Sequence, residues 1–212
     1  MTNLDVIMQL VAKGDHEQTV NQVKEALVSG MAAKDILQKG LVPGIQSLGE
    51  LFRQGQVFLP EILISVRAMN RGLEELRPHL TDTDVLKKGT VVLGTVEGDL
   101  HDIGKNLVRM MLEGAGYHVI DLGVDVGADT FVRVAKERKA DIVAMSSLLT
   151  TTMLHSKTVV EALREEGLKG KVKVLLGGAP VTRSYADEIE AEGYADDCVT
   201  AVDEADRLMG NK

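Results

Sequence analysis

The sequence predicts an α/β protein in two parts, a bundle of four or five helices followed by an open sheet of five parallel strands wound by helices on both faces. Two features of the 212-residue chain carry this expectation, and a third places the join. Through residue 80 the apolar side chains recur at helical spacing only, whereas from Thr90 onward short apolar runs alternate with amphipathic stretches. Residues 79–89 (HLTDTDVLKKG) lose both patterns and are rich in Thr, Asp and Lys, as a linker is. The boundaries drawn are 1–80 for the helical part, 81–89 for the linker and 90–212 for the α/β part.

In the first part Val20, Val23 and Leu27 mark one helix. Leu59, Ile62, Leu63, Val66, Met69, Leu73 and Leu76 mark another of almost five turns. Ile36, Leu37 and Leu41 precede Pro43, and Ile45, Leu48 and Phe52 follow it, so a break is expected there with Pro43 in the first turn of a new helix. Short joints between such helices suggest a small bundle. In the second part the runs 90–96, 118–122, 141–146 and 173–176 are short, apolar and β-branched, as buried parallel strands are. Helical stretches lie near 103–113, 129–138, 152–166 and 183–191, and a fifth strand near 194–199 with a last helix from about Val202 completes five β/α units.

Composition narrows the function. Hydrophobic residues make up 44% of the chain, enough for a packed core, and the longest apolar run falls far short of the ~20 residues of a membrane span. Met1 to Gly14 lacks a basic start and an apolar centre, so no signal peptide is expected. A net charge of −8 disfavours phosphate backbones and anionic membranes, and three Phe, three Tyr and no Trp leave little surface for stacking bases. Neither nucleic acid nor membrane is expected as a partner. Cys198 is the only cysteine, which excludes an internal disulfide and a CxxC site and suggests a cytoplasmic address.

Ligands of open α/β sheets sit beyond the carboxyl ends of the strands, so the loops after the first, third and fourth strands matter most. After the first comes Glu97-Gly98-Asp99-Leu100-His101-Asp102-Ile103-Gly104. Asp99 and His101 are two apart, a spacing at which a carboxylate reaches its neighbour's imidazole and leaves the other ring nitrogen a more basic metal ligand. One His cannot hold zinc, which wants three or four protein ligands, but it can hold the axial position of a metal in a macrocycle. The loop has neither GxGxxG nor GxxxxGK[ST], so dinucleotide and P-loop sites are disfavoured. After the third strand, Ser146 to Thr152 carries five hydroxyls in seven residues, ordinarily a helix cap with spare polar groups. After the fourth, Gly177 and Gly178 make a turn or a gap in which a bulky ligand lies on bare backbone.

Together these segments are specific. GDLHDIGKN, then SSL, then GG resembles the cobalamin-binding signature DxHxxG, SxL, GG, with forty-one residues between Gly104 and Ser146 and twenty-eight between Leu148 and Gly177. The chain resembles the corrinoid proteins of anaerobic methyltransferase systems and is similar to the cobalamin-binding region of cobalamin-dependent methionine synthase, over nearly its whole length. The resemblance implies a four-helix cap before a Rossmann-like (flavodoxin-like) five-stranded sheet domain, and cobalamin or a related corrinoid as cofactor. It implies His101 as the lower cobalt ligand, Asp99 on the far side of its imidazole, and Thr152 where methionine synthase completes the relay with serine. Gly98, Asp102, Ile103 and Gly104 belong to the same cofactor-binding loop. Ser146 and Leu148 would line a channel for the displaced nucleotide tail, Gly177 and Gly178 would make room for it, and Thr150 would face the corrin edge. In the cap, Phe52 and Leu59 match residues that cover the cobalt's upper face.

The implied function is a methyl carrier, a component of a methyltransferase system that is not catalytic alone. It would accept a methyl group on cob(I)alamin from a substrate-specific methyltransferase. From methylcob(III)alamin it would deliver that group to a second methyltransferase acting on tetrahydrofolate or a thiol, and a reductive activation protein would be a further partner. Two alternatives stay open: a B12-dependent sensor, for which a DNA-binding module would be needed, and the small cobalamin-binding subunit of a mutase, which has no evident need of the cap. No residue selects among methylamines, methanol, betaines and methoxylated aromatics as methyl donor.

Overall fold

In the computed structural model, which describes residues 2–80 and 88–210, the chain divides into two units, Met1–Leu86 and Lys87–Lys212. Of the expected linker 81–89, residues 81–87 lie outside the described residues.

The first unit is helical throughout its described length. Thr2 and Asp5 form a capping box that starts α1 (Asn3–Lys13), and Gly14 closes it in the left-handed conformation. Asp15 accepts the Gln18 N–H to cap α2 (His16–Val28). Then come α3 (Ala33–Ile36), a π-helical turn (Leu37–Leu41), α4 (Val42–Arg53), α5 (Leu59–Leu76) and a short 3₁₀ turn (Arg77–His79). Ile7, Val11, Val23, Ile36, Leu41, Ile62, Val66, Met69 and Leu76 are buried together with Leu48. Pro43 stands in the first turn of α4, as expected, but no break separates that helix from the turns before it. The chain runs on from α3 through the π turn into α4, with the Val42 N–H reaching back to Leu37 O. The wider turn lets the helix continue past a residue that has no N–H to give and whose ring crowds the preceding carbonyls.

The second unit alternates β1 (Thr90–Thr95), α6 (Ile103–Gly114), β2 (His118–Asp121), α7 (Ala128–Arg138), β3 (Ile142–Ser146), α8 (Leu154–Glu165), β4 (Lys173–Gly177), α9 (Arg183–Glu188), β5 (Gly193–Ala195) and α10 (Cys198–Met209). All pairs are parallel, in the order β2-β1-β3-β4-β5. Val92, Val143, Met145, Val174 and Leu176 pack on one face with Phe131 of α7, Leu163 of α8 and Tyr185 of α9. Val91, Leu93, Ile142, Ala144 and Leu175 pack on the other with Leu112 of α6 and Ala201 and Ala205 of α10. Burial on both faces explains why the strands read as apolar runs instead of alternating. Strand order reverses direction between β1 and β3, so the crevice of a doubly wound sheet falls at the loops that follow these two strands.

Helix α9 ends at Glu188, short of the expected 191, and two boundaries after it differ more. The fifth strand is shorter and earlier than 194–199, and the last helix begins at Cys198 instead of near Val202. Asp197 is the reason: its carboxylate accepts the Val199 and Thr200 amides while its own N–H donates to the Thr200 hydroxyl, a capping box that ends the extended segment. The hydroxyl run after β3 does not cap α8, whose N-cap is Met153 with no side-chain bond. Of its hydroxyls, that of Thr152 turns instead to Asp99.

Candidate functional site

Between β1 and α6 the chain makes a tight loop. The Asp99 N–H donates to Val96 O (3.1 Å), and the Thr95 hydroxyl donates to His101 O (2.9 Å). This turns the Asp99 side chain inward, fully buried, and leaves the His101 side chain 54% exposed. Asp99 Oδ1 accepts from His101 Nδ1 (2.7 Å) and the His101 amide (3.1 Å), and Oδ2 accepts from the Leu148 amide and the Thr152 hydroxyl, each at 2.7 Å. Burial alone would push the Asp99 carboxyl up. The bonds from Leu148, Thr152 and His101 outweigh it and hold the group well below the usual carboxylate range.

An ionised carboxylate only accepts, so the proton between Asp99 and His101 belongs to Nδ1. The lone pair of the neutral ring is then on Nε2, which has no partner among the described residues. No group of three or more His, Cys, Asp or Glu residues able to hold a metal ion is found among the described residues. His101 is therefore a solitary nitrogen donor, suited to a metal that brings most of its ligands with it.

The surroundings of His101 are unusually greasy for a surface. Leu100 (73% exposed), Ile103 (78%), Leu148, Leu149 and Leu154 all show large apolar side chains on the loops and helix starts at this end of the sheet. Three on the loops after β1 and β3 and two at the starts of α6 and α8 suit a broad apolar ligand at this end of the sheet. Beside them a cavity of about 520 Å³ opens over the α6 and α10 face of the sheet. Leu93 and Leu175 floor it, and Ala144, Ala195 and Ala201 leave the space that larger side chains would fill.

Of the residues expected at the site, His101, Asp102, Ile103, Gly104, Ser146, Leu148, Gly177 and Gly178 line this cavity. Asp99 and Thr152 lie behind the His101 ring, buried, and Gly98 and Thr150 are exposed in the adjoining loops. A Cβ on Gly104 would meet nothing, so that residue opens on free space. Gly178 differs: at φ +124° a Cβ would fall 1.8 Å from Ser147 O, so its bareness is already demanded by the packing of the loops after β3 and β4. In the helical unit Phe52 is half-buried on α4, Leu59 is 37% exposed at the start of α5, and Phe58 just before it is more exposed, at 67%. Sequence reasoning missed Leu100, Leu149, Leu154 and Phe58. Their signal was leucine and phenylalanine in loops and helix starts where polar residues are the rule.

Comparisons with known proteins show the family. A family described as "B12 binding domain" matches residues 89–207, and a second of the same description matches residues 4–77. The chain is 42% identical over 213 residues to a corrinoid protein of Desulfitobacterium hafniense, covering 99% of each. It is 44% identical over 194 residues to trimethylamine corrinoid protein 2 of Methanosarcina acetivorans, covering 91% of this chain and 89% of that one. Among solved structures it resembles one chain of the methanol:cobalamin methyltransferase complex of Methanosarcina barkeri, with a TM-score of 0.86 at 31% identity over 97% of this chain and 79% of that one.

Proposed function

The chain belongs to the B12-binding corrinoid proteins, and from that premise we propose that it is a methyl carrier between two methyltransferases. The bound corrinoid supplies the chemistry, a cobalt that takes up and gives up a methyl group. The chain's own residues supply the rest. His101 would offer Nε2 to the metal, while Asp99, kept ionised, holds the proton on Nδ1 and the ring in place. Thr152 steadies Asp99 from behind. The exposed leucines and Ile103 give an apolar seat for the macrocycle. The cavity over α6 and α10, lined by Asp102, Gly104, Ser146, Leu148, Gly177 and Gly178, would take the nucleotide tail, with Gly98 in the His101 loop and Thr150 toward the corrin edge.

In the helical unit, residues 1–80, Phe52 and Leu59 would serve as cap residues that keep solvent from the cofactor. A substrate-specific methyltransferase loads the carrier, a tetrahydrofolate or thiol methyltransferase unloads it, and a reductive activation protein restores it after oxidation. No helix among the described residues is long and apolar enough to cross a membrane. We place the protein in the cytoplasm, where its single, buried Cys198 stays a thiol, pushed up to about 11 by burial.

The observation that carries this reading is the 2.7 Å contact from buried Asp99 to His101, set in an apolar rim beside an empty-walled cavity. Loaded protein in the cobalt(II) state is expected to show an EPR nitrogen splitting that changes when histidine is labelled with ¹⁵N, and His101→Ala is expected to lose it. A splitting that follows label in the cofactor's own base, and ignores labelled histidine, removes His101 from the cobalt.

A further inference from the structure

The β1 and β2 ladder does not stop where the strands end. Past it the Val126 N–H donates to Thr95 O (3.0 Å), and Val96 and Val126 form a parallel bridge, so the segment between β2 and α7 follows the chain into the His101 loop. At its tip stands Asp125, with φ +55°, a left-handed conformation that side chains other than Gly, Asn and Asp rarely hold. From there it grips the loop twice. Its Oδ1 accepts the Gly98 N–H at 2.7 Å, and its own N–H donates to Asp99 O at 3.0 Å. Gly98 itself is at φ +78°, the residue with the most conformational freedom in the loop, and it directly precedes the carboxylate that orients His101.

We infer that Asp125 is a positioning residue for His101: it pins the peptides on both sides of the Asp99 side chain so that Oδ1 is held against Nδ1. The inference rests on the reading of His101 as the axial donor, and gives that site a fourth member drawn from a different loop. Without the Oδ1 acceptor the Gly98 amide turns to solvent, the freed glycine lets Asp99 withdraw, and the ring loses the partner that fixes its tautomer. A free imidazole otherwise favours the proton on Nε2, which would block the atom meant for the metal.

Two substitutions separate this from mere loop stability. Asp125→Gly keeps the left-handed backbone free of strain and removes the acceptor, and Asp125→Asn keeps both. The measurement is ¹⁵N NMR of the His101 ring in the cofactor-free protein, at a pH where the imidazole is neutral, which reads the ratio of Nδ1–H to Nε2–H tautomers. Asp125→Gly is expected to lower that ratio by about threefold or more, as loss of the hydrogen bond that holds the Gly98 amide would. Asp125→Asn is expected to stay near the unsubstituted protein. An unchanged ratio in Asp125→Gly overturns the inference, as does an Asp125→Asn ratio that falls equally far. Absence of a histidine nitrogen on cobalt in the loaded, unsubstituted protein would defeat the proposed function and leave the tautomer result untouched, so the two failures are distinguishable.

Discussion

Asp99 is fully buried and receives four hydrogen bonds, which makes each donor expensive to lose. Thr152 has one hydroxyl proton and two acceptors near it, Asp99 Oδ2 at 2.7 Å and Leu149 O at 3.0 Å, and the charged and nearer one takes it. Thr152→Val keeps the shape and deletes that donor, so it is expected to lower unfolding free energy by roughly 1.5–3 kcal/mol, whereas Thr152→Ser keeps the donor and loses about 1 kcal/mol for a methyl group. Urea midpoints of the cofactor-free variants test this, and equal losses for both would show that Thr152 matters for packing and not as a donor. Asp99 and His101 could be read from the sequence because both belong to one short loop whose spacing is itself the signal. Asp125 could not: it meets Gly98 across twenty-seven residues, and only the parallel pairing of β1 with β2 brings them together. Thr152 stood in a run of hydroxyls any one of which could have capped α8, and nothing local singles it out as the one that turns to Asp99.

Helix and strand types followed from periodicity, while their ends depended on side-chain caps that periodicity does not see. The stretch YADDCVT carries enough apolar and β-branched residues to pass for strand through Val199, yet Asp197 stops it. Its carboxylate satisfies two amides that would otherwise be left open at the start of α10, and the Thr200 hydroxyl answers with a bond to the Asp197 N–H. Asp197→Ala is expected to cost about 1–2 kcal/mol and Asp197→Ser considerably less, read from urea unfolding. Equal costs would place the effect in the lost charge. The π turn before α4 is the opposite case. Pro43 is a sound signal that regular α-helix is interrupted, and the interruption takes the form of a wider turn because Leu37, Leu41, Ile45 and Leu48 all bury on the same helical core, which a break would have scattered.

At the scale of the whole chain, two periodicities, 3.6 and buried-strand runs, meet near residues 80–90, and the chain divides into the units Met1–Leu86 and Lys87–Lys212. The net charge of −8 was legible in the sequence, but not which carboxylates hold the fold together. Glu204 of α10 is one that does. Burial would raise its pKa, but bonds from Arg207, from Arg183 of α9 and from the Tyr194 amide of β5 reverse this and bring it down to about 2. The folded-state value lies below the ordinary one of 4.5, so the stabilisation is complete above that pH and is lost as pH falls from 4.5 toward about 2. With both arginines about half exposed, the contribution is about 2 kcal/mol, less than the shift alone would give. Glu204→Gln is therefore expected to be less stable than the unsubstituted protein by about 2 kcal/mol at neutral pH, with the gap closing as the pH is lowered through that window. Urea midpoints measured for both proteins from neutrality down to strong acid decide the matter. A gap that stays constant with pH would mean the glutamine fails for reasons of shape, and that the link among α9, β5 and α10 does not depend on the charge of Glu204.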